Sequence, residues 1–172
     1  MLPRALTLAL ATVAVSASVV VAANYDSASE VLDDVSQRGP KSVVKDLWSD
    51  REQWAGVMRH VASGQTPWLK VAVALKDGTD AGASTELHDA VFAALRQNPA
   101  SVLRQATVKF PVHELCVGRS DPLETFNLAA SEQNAVIKAV RAVRDEDLKA
   151  QRTRCLARLN DGKANLRRFF GK

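Results

Sequence analysis

Residues 66–105, TPWLKVAVALKDGTDAGASTELHDAVFAALRQNPASVLRQ, read as three helices joined by two turns, and the rest of the chain is arranged around them. Thr66 can cap a helix with Pro67 at its first position, and Asn98 with Pro99 repeats the device. Proline loses nothing there, because the first backbone N–H groups of a helix have no partner within it. Between the prolines, the Gly-rich turn at 76–82 separates two segments of different character. In residues 68–75 only Lys70 is polar, so that helix is expected to be surrounded by others. The next, residues 84–97, sets Leu87, Ala90, Val91, Ala94 and Leu95 on one side and Phe92 on another, which implies two neighbours.

Working toward the N-terminus, residues 27–37 form a short acidic helix that stops at Gly39-Pro40, and Pro40 opens a second through Val43, Val44 and Leu47 to Trp48. Ser49 and Asp50 cap a third, whose Trp54, Val57, Met58 and Val61 recur at helical spacing until Gly64. Toward the C-terminus, residues 99–105 are a short helix. The stretch VKFPVHELCVG, 108–118, suits either a brief strand or a helical turn, and Pro111 argues against anything longer. Asp121 with Pro122 is expected to start a long helix that carries Phe126, Ala129, Val136, Ile137, Val140 and Val143 to Arg144. Asp145 bends or restarts it. A last helix runs to Leu159, where Asn160-Asp161-Gly162 is expected to break it and leave 163–172 as a basic, aromatic-ended tail. Pro40, Pro67 and Pro99, spaced by 27 and 32 residues, each open a short helix, a layering found in helical-hairpin solenoids. The expected fold is all-α: one compact multi-helix domain over 24–172 with alternating short and long helices, solenoid-like or a bundle.

Residues 1–23 read as a signal peptide. Arg4 supplies the positive start, an uncharged Ala/Val/Leu-rich run follows to Val21, and Val21-Ala22-Ala23 offers small residues for cleavage. A retained membrane anchor is the alternative, although the Ala, Ser and Thr content is high for a span. Cleavage near Ala23 would send the chain to a periplasm or outside the cell. From Lys138 onward there are eleven Lys or Arg against four Asp or Glu, +7, whereas residues 24–137 carry eleven against fifteen, −4. Such separation can steer association. Cys116 and Cys155 are the only cysteines, and in an oxidising compartment an even pair reads first as a disulfide. Cys155 lies on the helical stripe Leu148, Arg152, Cys155, Leu156, Leu159 and should point inward.

The sequence has no GxSxG elbow, GxxxxGK[ST] loop or HExxH pair, and it gives no reason to expect a cofactor or a nucleic-acid partner. His60, His88 and His113 are widely separated. His113-Glu114-Leu115-Cys116 contains three zinc-ligand types, but a disulfide would consume the thiol, so no metal site is expected. The loop Gly78, Asp80, Gly82, Ser84 is a candidate anion cradle ahead of a helix, set against a plain reading in which Asp80 or Ser84 caps that helix and the glycines supply tight turns. Asp80-Ala81-Gly82 also resembles the aspartyl-protease triplet, whose chemistry needs two facing loops on β-structure; neither the second loop nor the strands are visible. Trp48, Trp54 and Trp68 lie within 21 residues and read chiefly as core, with Trp48 the candidate for partial exposure. Arg167, Arg168, Phe169 and Phe170 are a candidate contact for a partner or an anionic membrane surface.

The wording of the central stretch, W-L-x-V-A-x-x-L at 68–75, G-T-D-A-G at 78–82 and N-P-x-x-V-L at 98–103, resembles a group of uncharacterised exported proteins of Gram-negative bacteria. The resemblance implies an envelope location and carries no activity with it. The expected function is an exported protein-interaction module, in concrete form an immunity-type inhibitor of a toxin. A binder of membrane surface or peptidoglycan is the alternative, and an enzyme with an unfamiliar site near His113, Glu114 and Asp80 ranks third.

Overall fold

The computed structural model describes residues 25–108, 110–117 and 125–171. The expected signal peptide, 1–23, and the expected helix start at Asp121-Pro122 lie outside the described residues. A capping box begins the first helix: Ser27 Oγ accepts from the Glu30 N–H, and the Glu30 carboxylate accepts from the Ser27 N–H. From it runs α1 (Ala28–Arg38), followed by α2 (Pro40–Ser49) and α3 (Arg51–Ala62). Asp50 caps α3 by accepting from the N–H groups of Glu52 and Gln53. Next come α4 (Thr66–Leu75), a 3-10 turn (Lys76–Gly78), α5 (Ala81–Gln97) and α6 (Pro99–Arg104). The chain closes with a single turn, α7 (Val112–Leu115), then α8 (Phe126–Ala142), a 3-10 turn (Glu146–Leu148) and α9 (Lys149–Phe169). Among the described residues there is no strand, and no helix is long and apolar enough to cross a membrane.

The helices α3, α5, α8 and α9 lie side by side in that order, and α4, α6 and α7 form a second, shorter row against them. This is the layering that the proline-led openings predict, with α5 at its centre. Two contacts fasten successive openings. Asn98 accepts from the Ser101 N–H, capping α6, and its Nδ2 donates to Gly64 O at 3.1 Å; Thr66 Oγ1 lies 3.3 Å from Ser101 Oγ. Thr66 is therefore not the cap. Gln65 takes the extended cap conformation and its carbonyl accepts from Leu69, so Thr66 and Pro67 fall inside the first turn. Buried side chains form one continuous cluster from Val31 on α1 to Leu159 on α9, with Trp54, Leu75, Leu87 and Leu103 wholly enclosed.

Two further expectations are corrected and one alternative is decided. The helix expected from residue 84 starts at Ala81, because the Asp80 carbonyl already accepts from the Ser84 N–H at 2.8 Å. Of the two alternatives left open around Pro111, the stretch takes the helical turn. Most consequentially, α9 does not stop at Leu159. It passes unbroken through Asn160-Asp161-Gly162 and absorbs most of the expected tail. The reason sits on α8, where Gln133 is the one buried polar side chain among the described residues, 2% exposed, and donates from Nε2 to Leu159 O at 2.7 Å. A Cβ on Gly162 would stand 3.2 Å from that nitrogen, so the glycine is a contact point between packed helices and not a helix end. Leu166, 6% exposed, anchors the following turn, and Phe170 packs edge-on against Phe126 at 5.9 Å.

Candidate functional site

The best-defined surface feature is one flank of α9. Seven of its residues are Lys or Arg and one is Asp. Cys155, Leu159 and Leu166 bury its inner face, and the Cys116–Cys155 disulfide, both residues fully enclosed, ties it to the end of α7. The Arg152 guanidinium donates to Val143 O and fixes the entry from α8. Beside the helix, Thr107, Pro111 and His113 face Gln151, Arg154 and Arg158 across a hollow of about 480 Å³. Further along, Val117 and Gln133 face Asn165, Leu166 and Phe169 across a second hollow of about 360 Å³. Arg158 lines both. Among the described residues no carboxylate pairs with Arg154 or Arg158, and Asp161 is the one acidic residue in the lining. Val117 is 38% exposed and Phe169 59%, which gives the far end an apolar rim. Arg167 and Arg168 lie exposed at the same end, with Arg168 donating to Asn165 Oδ1 at 2.6 Å.

Two separate sequence candidates meet elsewhere. Trp48 is half-buried and stands edge-on to the enclosed Trp54, ring centroids 5.3 Å apart, with the Arg51 guanidinium 4.0 Å from its own centroid. Arg51 pairs with Glu86 at 2.7 Å, and Glu86 also accepts from Trp54 Nε1 at 2.8 Å. A Cβ on Gly82 would lie 3.1 Å from the Trp48 ring, and one on Gly78 would lie 2.3 Å from Pro40 O. Both glycines of the candidate anion loop are thus taken up by close approach to α2. Asp80 occupies the cap position of α5 without a side-chain cap hydrogen bond, and Ser84 lies within the helix.

His113 and Glu114, adjacent in sequence, diverge. His113 is exposed on the α9 groove, whereas Glu114 pairs with Lys76 at 3.1 Å and lies 3.5 Å from His88 Nε2. That nitrogen is shielded from solvent and makes no hydrogen bond. Burial, then the Lys76 charge, hold the imidazole below the ordinary histidine range, against an opposing pull from Glu114. Cys116 is consumed by the disulfide, and among the described residues no three His, Cys, Asp or Glu side chains stand together as a metal site. His60 stacks on Trp68 at 4.3 Å beside an open hollow that includes Tyr25, whose hydroxyl donates to Asp34. Sequence reasoning missed Arg154 and Arg158, although their i, i+4 spacing places them on one flank, and it missed the Lys76–Glu114–His88 cluster, which no local spacing signals.

Together these features define a disulfide-stapled, all-helical module with a basic, grooved C-terminal helix. Compared with known proteins, the chain matches no family model, no curated protein and no solved structure.

Proposed function

We propose that this chain is an exported protein-interaction module that binds another envelope protein through its C-terminal helix, in concrete form an immunity-type inhibitor whose partner is a toxin. The observation that carries the reading is the set Arg154, Arg158, Arg167 and Arg168 on α9, exposed and without acidic partners among the described residues, on a helix tied to α7 by the disulfide. Charge left unpaired on a fixed surface favours an oppositely charged macromolecule and speeds its encounter. The signal-peptide pattern at 1–23 and the resemblance to exported proteins support the location.

A second reading, contact with anionic membrane or wall material, draws on exposed Phe169 beside Arg167 and Arg168. One exposed ring offers little apolar area to hold a bilayer, so this ranks below a protein partner. The test is a pull-down from envelope extract with oxidised protein at low and high salt, read by mass spectrometry. One stoichiometric protein, lost at high salt, supports the proposal; enrichment of lipid or wall material alone refutes it. Mass analysis of the exported form should give a chain that begins at Asn24.

A further inference from the structure

The groove along α9 is longer than a small ligand requires and differs along its length. From Gln151 to Phe169 its floor follows the helix over about 27 Å at the helical rise. A compact metabolite would use one hollow. The two follow one another along the helix with Arg158 lining both, which suits an elongated occupant that lies along the helix. An extended polypeptide rises about 3.4 Å per residue, so about eight residues fill the length.

The lining specifies the chemistry of those residues. Arg154 and Arg158, without carboxylate partners among the described residues, stand in the first hollow, and Arg158 lines the second as well. Guanidinium groups recognise carboxylates through paired N–H donors, and two of them four residues apart on one flank favour more than one acidic side chain. The far hollow is different: the exposed Val117 and Phe169 give it an apolar rim, with the buried Leu166 behind them. That end accepts an apolar side chain. Gln151 and Asn165, one in each hollow, carry amides within reach of a peptide backbone. A flat lipid surface would engage the outer Arg167 and Arg168 more readily than a recessed groove.

Resting on the reading of this chain as a protein-binding module, we propose that the α9 groove holds an extended acidic segment of the partner protein, with carboxylates on Arg154 and Arg158 and one apolar side chain between Val117, Leu166 and Phe169. Charge complementarity selects this occupant, and the apolar end sets its direction.

The probe is a set of fluorescein-labelled decapeptides rich in Asp and Glu with a single Phe, alongside versions with Lys for the acids or Ser for the Phe. Binding to the oxidised full chain is read by anisotropy at 50 and 500 mM salt, values chosen on the order of a tenfold span to expose ionic contributions. The acidic Phe peptide should bind tightest and weaken with salt. Arg158→Glu and Arg154→Glu, both at exposed positions and so compatible with folding, should each weaken it about tenfold, and Phe169→Ser severalfold. Equal binding of acidic and basic peptides, or an unchanged affinity in Arg158→Glu, overturns the groove assignment. The pull-down repeated with the Arg154→Glu/Arg158→Glu protein separates the two claims: a partner still captured at full yield removes the groove while leaving the interaction reading intact. Binding of phosphatidylglycerol vesicles that depends on Arg158, without peptide preference, or concentration-dependent self-association lost in Arg158→Glu, also overturns it in favour of a membrane or a second copy of this chain.

Discussion

Replacing Gly162 by alanine sets two known effects against each other at one atom. In an ordinary helix interior the change stabilises by about 1 kcal/mol, because glycine loses more backbone freedom on folding. Here the new methyl would sit 3.2 Å from Gln133 Nε2, closer than ordinary van der Waals contact, and that nitrogen is committed to Leu159 O at 2.7 Å. Gln133 is 2% exposed, so its amide has no water to turn to. Pushing it aside loses a buried hydrogen bond, which costs about 1–3 kcal/mol. Gly162→Ala should therefore destabilise the protein by about 1 kcal/mol despite its better helix propensity. In a Gln133→Ala background the obstruction is gone, and the same substitution should stabilise by about 1 kcal/mol. The coupling between the two sites is then about 2 kcal/mol, well above the scatter expected of independent positions. Urea unfolding of the four proteins of the cycle, followed by helical circular dichroism, measures it. If Gly162→Ala stabilises equally in both backgrounds, the contact that explains the unbroken α9 is refuted.

Three other outcomes follow from the same structure. Cys116→Ala/Cys155→Ala opens a crosslink spanning 39 residues and should cost about 4 kcal/mol in the chain-entropy account, lowering the calorimetric Tm by about 12 °C; a drop of only a degree or two would mean the bond does not constrain this fold. His88 titrates below its ordinary value in the folded state, so the unfolded chain takes up a proton first, and stability falls as pH drops from about 6.5 through the folded pKa. His88→Gln should flatten urea midpoints across that window, and parallel pH profiles for both proteins would rule the mechanism out. Gly78→Ala would place a Cβ 2.3 Å from Pro40 O, a backbone atom that cannot swing away, and should destabilise by about 3 kcal/mol. Gly82→Ala, 3.1 Å from the Trp48 ring, should cost less than half of that, and equal losses would contradict the reading of this loop as a close contact with α2.

The parts of this molecule that were legible in its sequence are those encoded within a few residues. Proline-led openings, the Gly39-Pro40 stop, the Asp50 cap and the Gly-rich turn at 76–82 place the first six helices to within three residues, because their signals act on the adjacent backbone. The disulfide was legible for a different reason: the signal-peptide pattern argues for an oxidising compartment, where a lone pair of cysteines has few alternatives. What could not be read required a contact across the fold. Asn160-Asp161-Gly162 is locally a strong breaker, and only Gln133 pressing against Gly162 from another helix turns the same residues into a packed crossing. His88, Lys76 and Glu114 belong to three separate elements, so no spacing announces their meeting. The α9 groove depends on both kinds of information at once. Its cations can be read at i, i+4, but its opposite wall exists only because the Cys116–Cys155 bond holds the Pro111–Val117 side of the chain beside a helix that continues past Gly162. Had α9 ended at Leu159, Leu166 and Phe169 would not stand opposite Val117, and Lys163, Arg167 and Arg168 would be a tail rather than the continuation of the edge that Arg154 and Arg158 begin. The continuity of α9 is thus what converts a charge imbalance in the sequence into a site with length, polarity and direction.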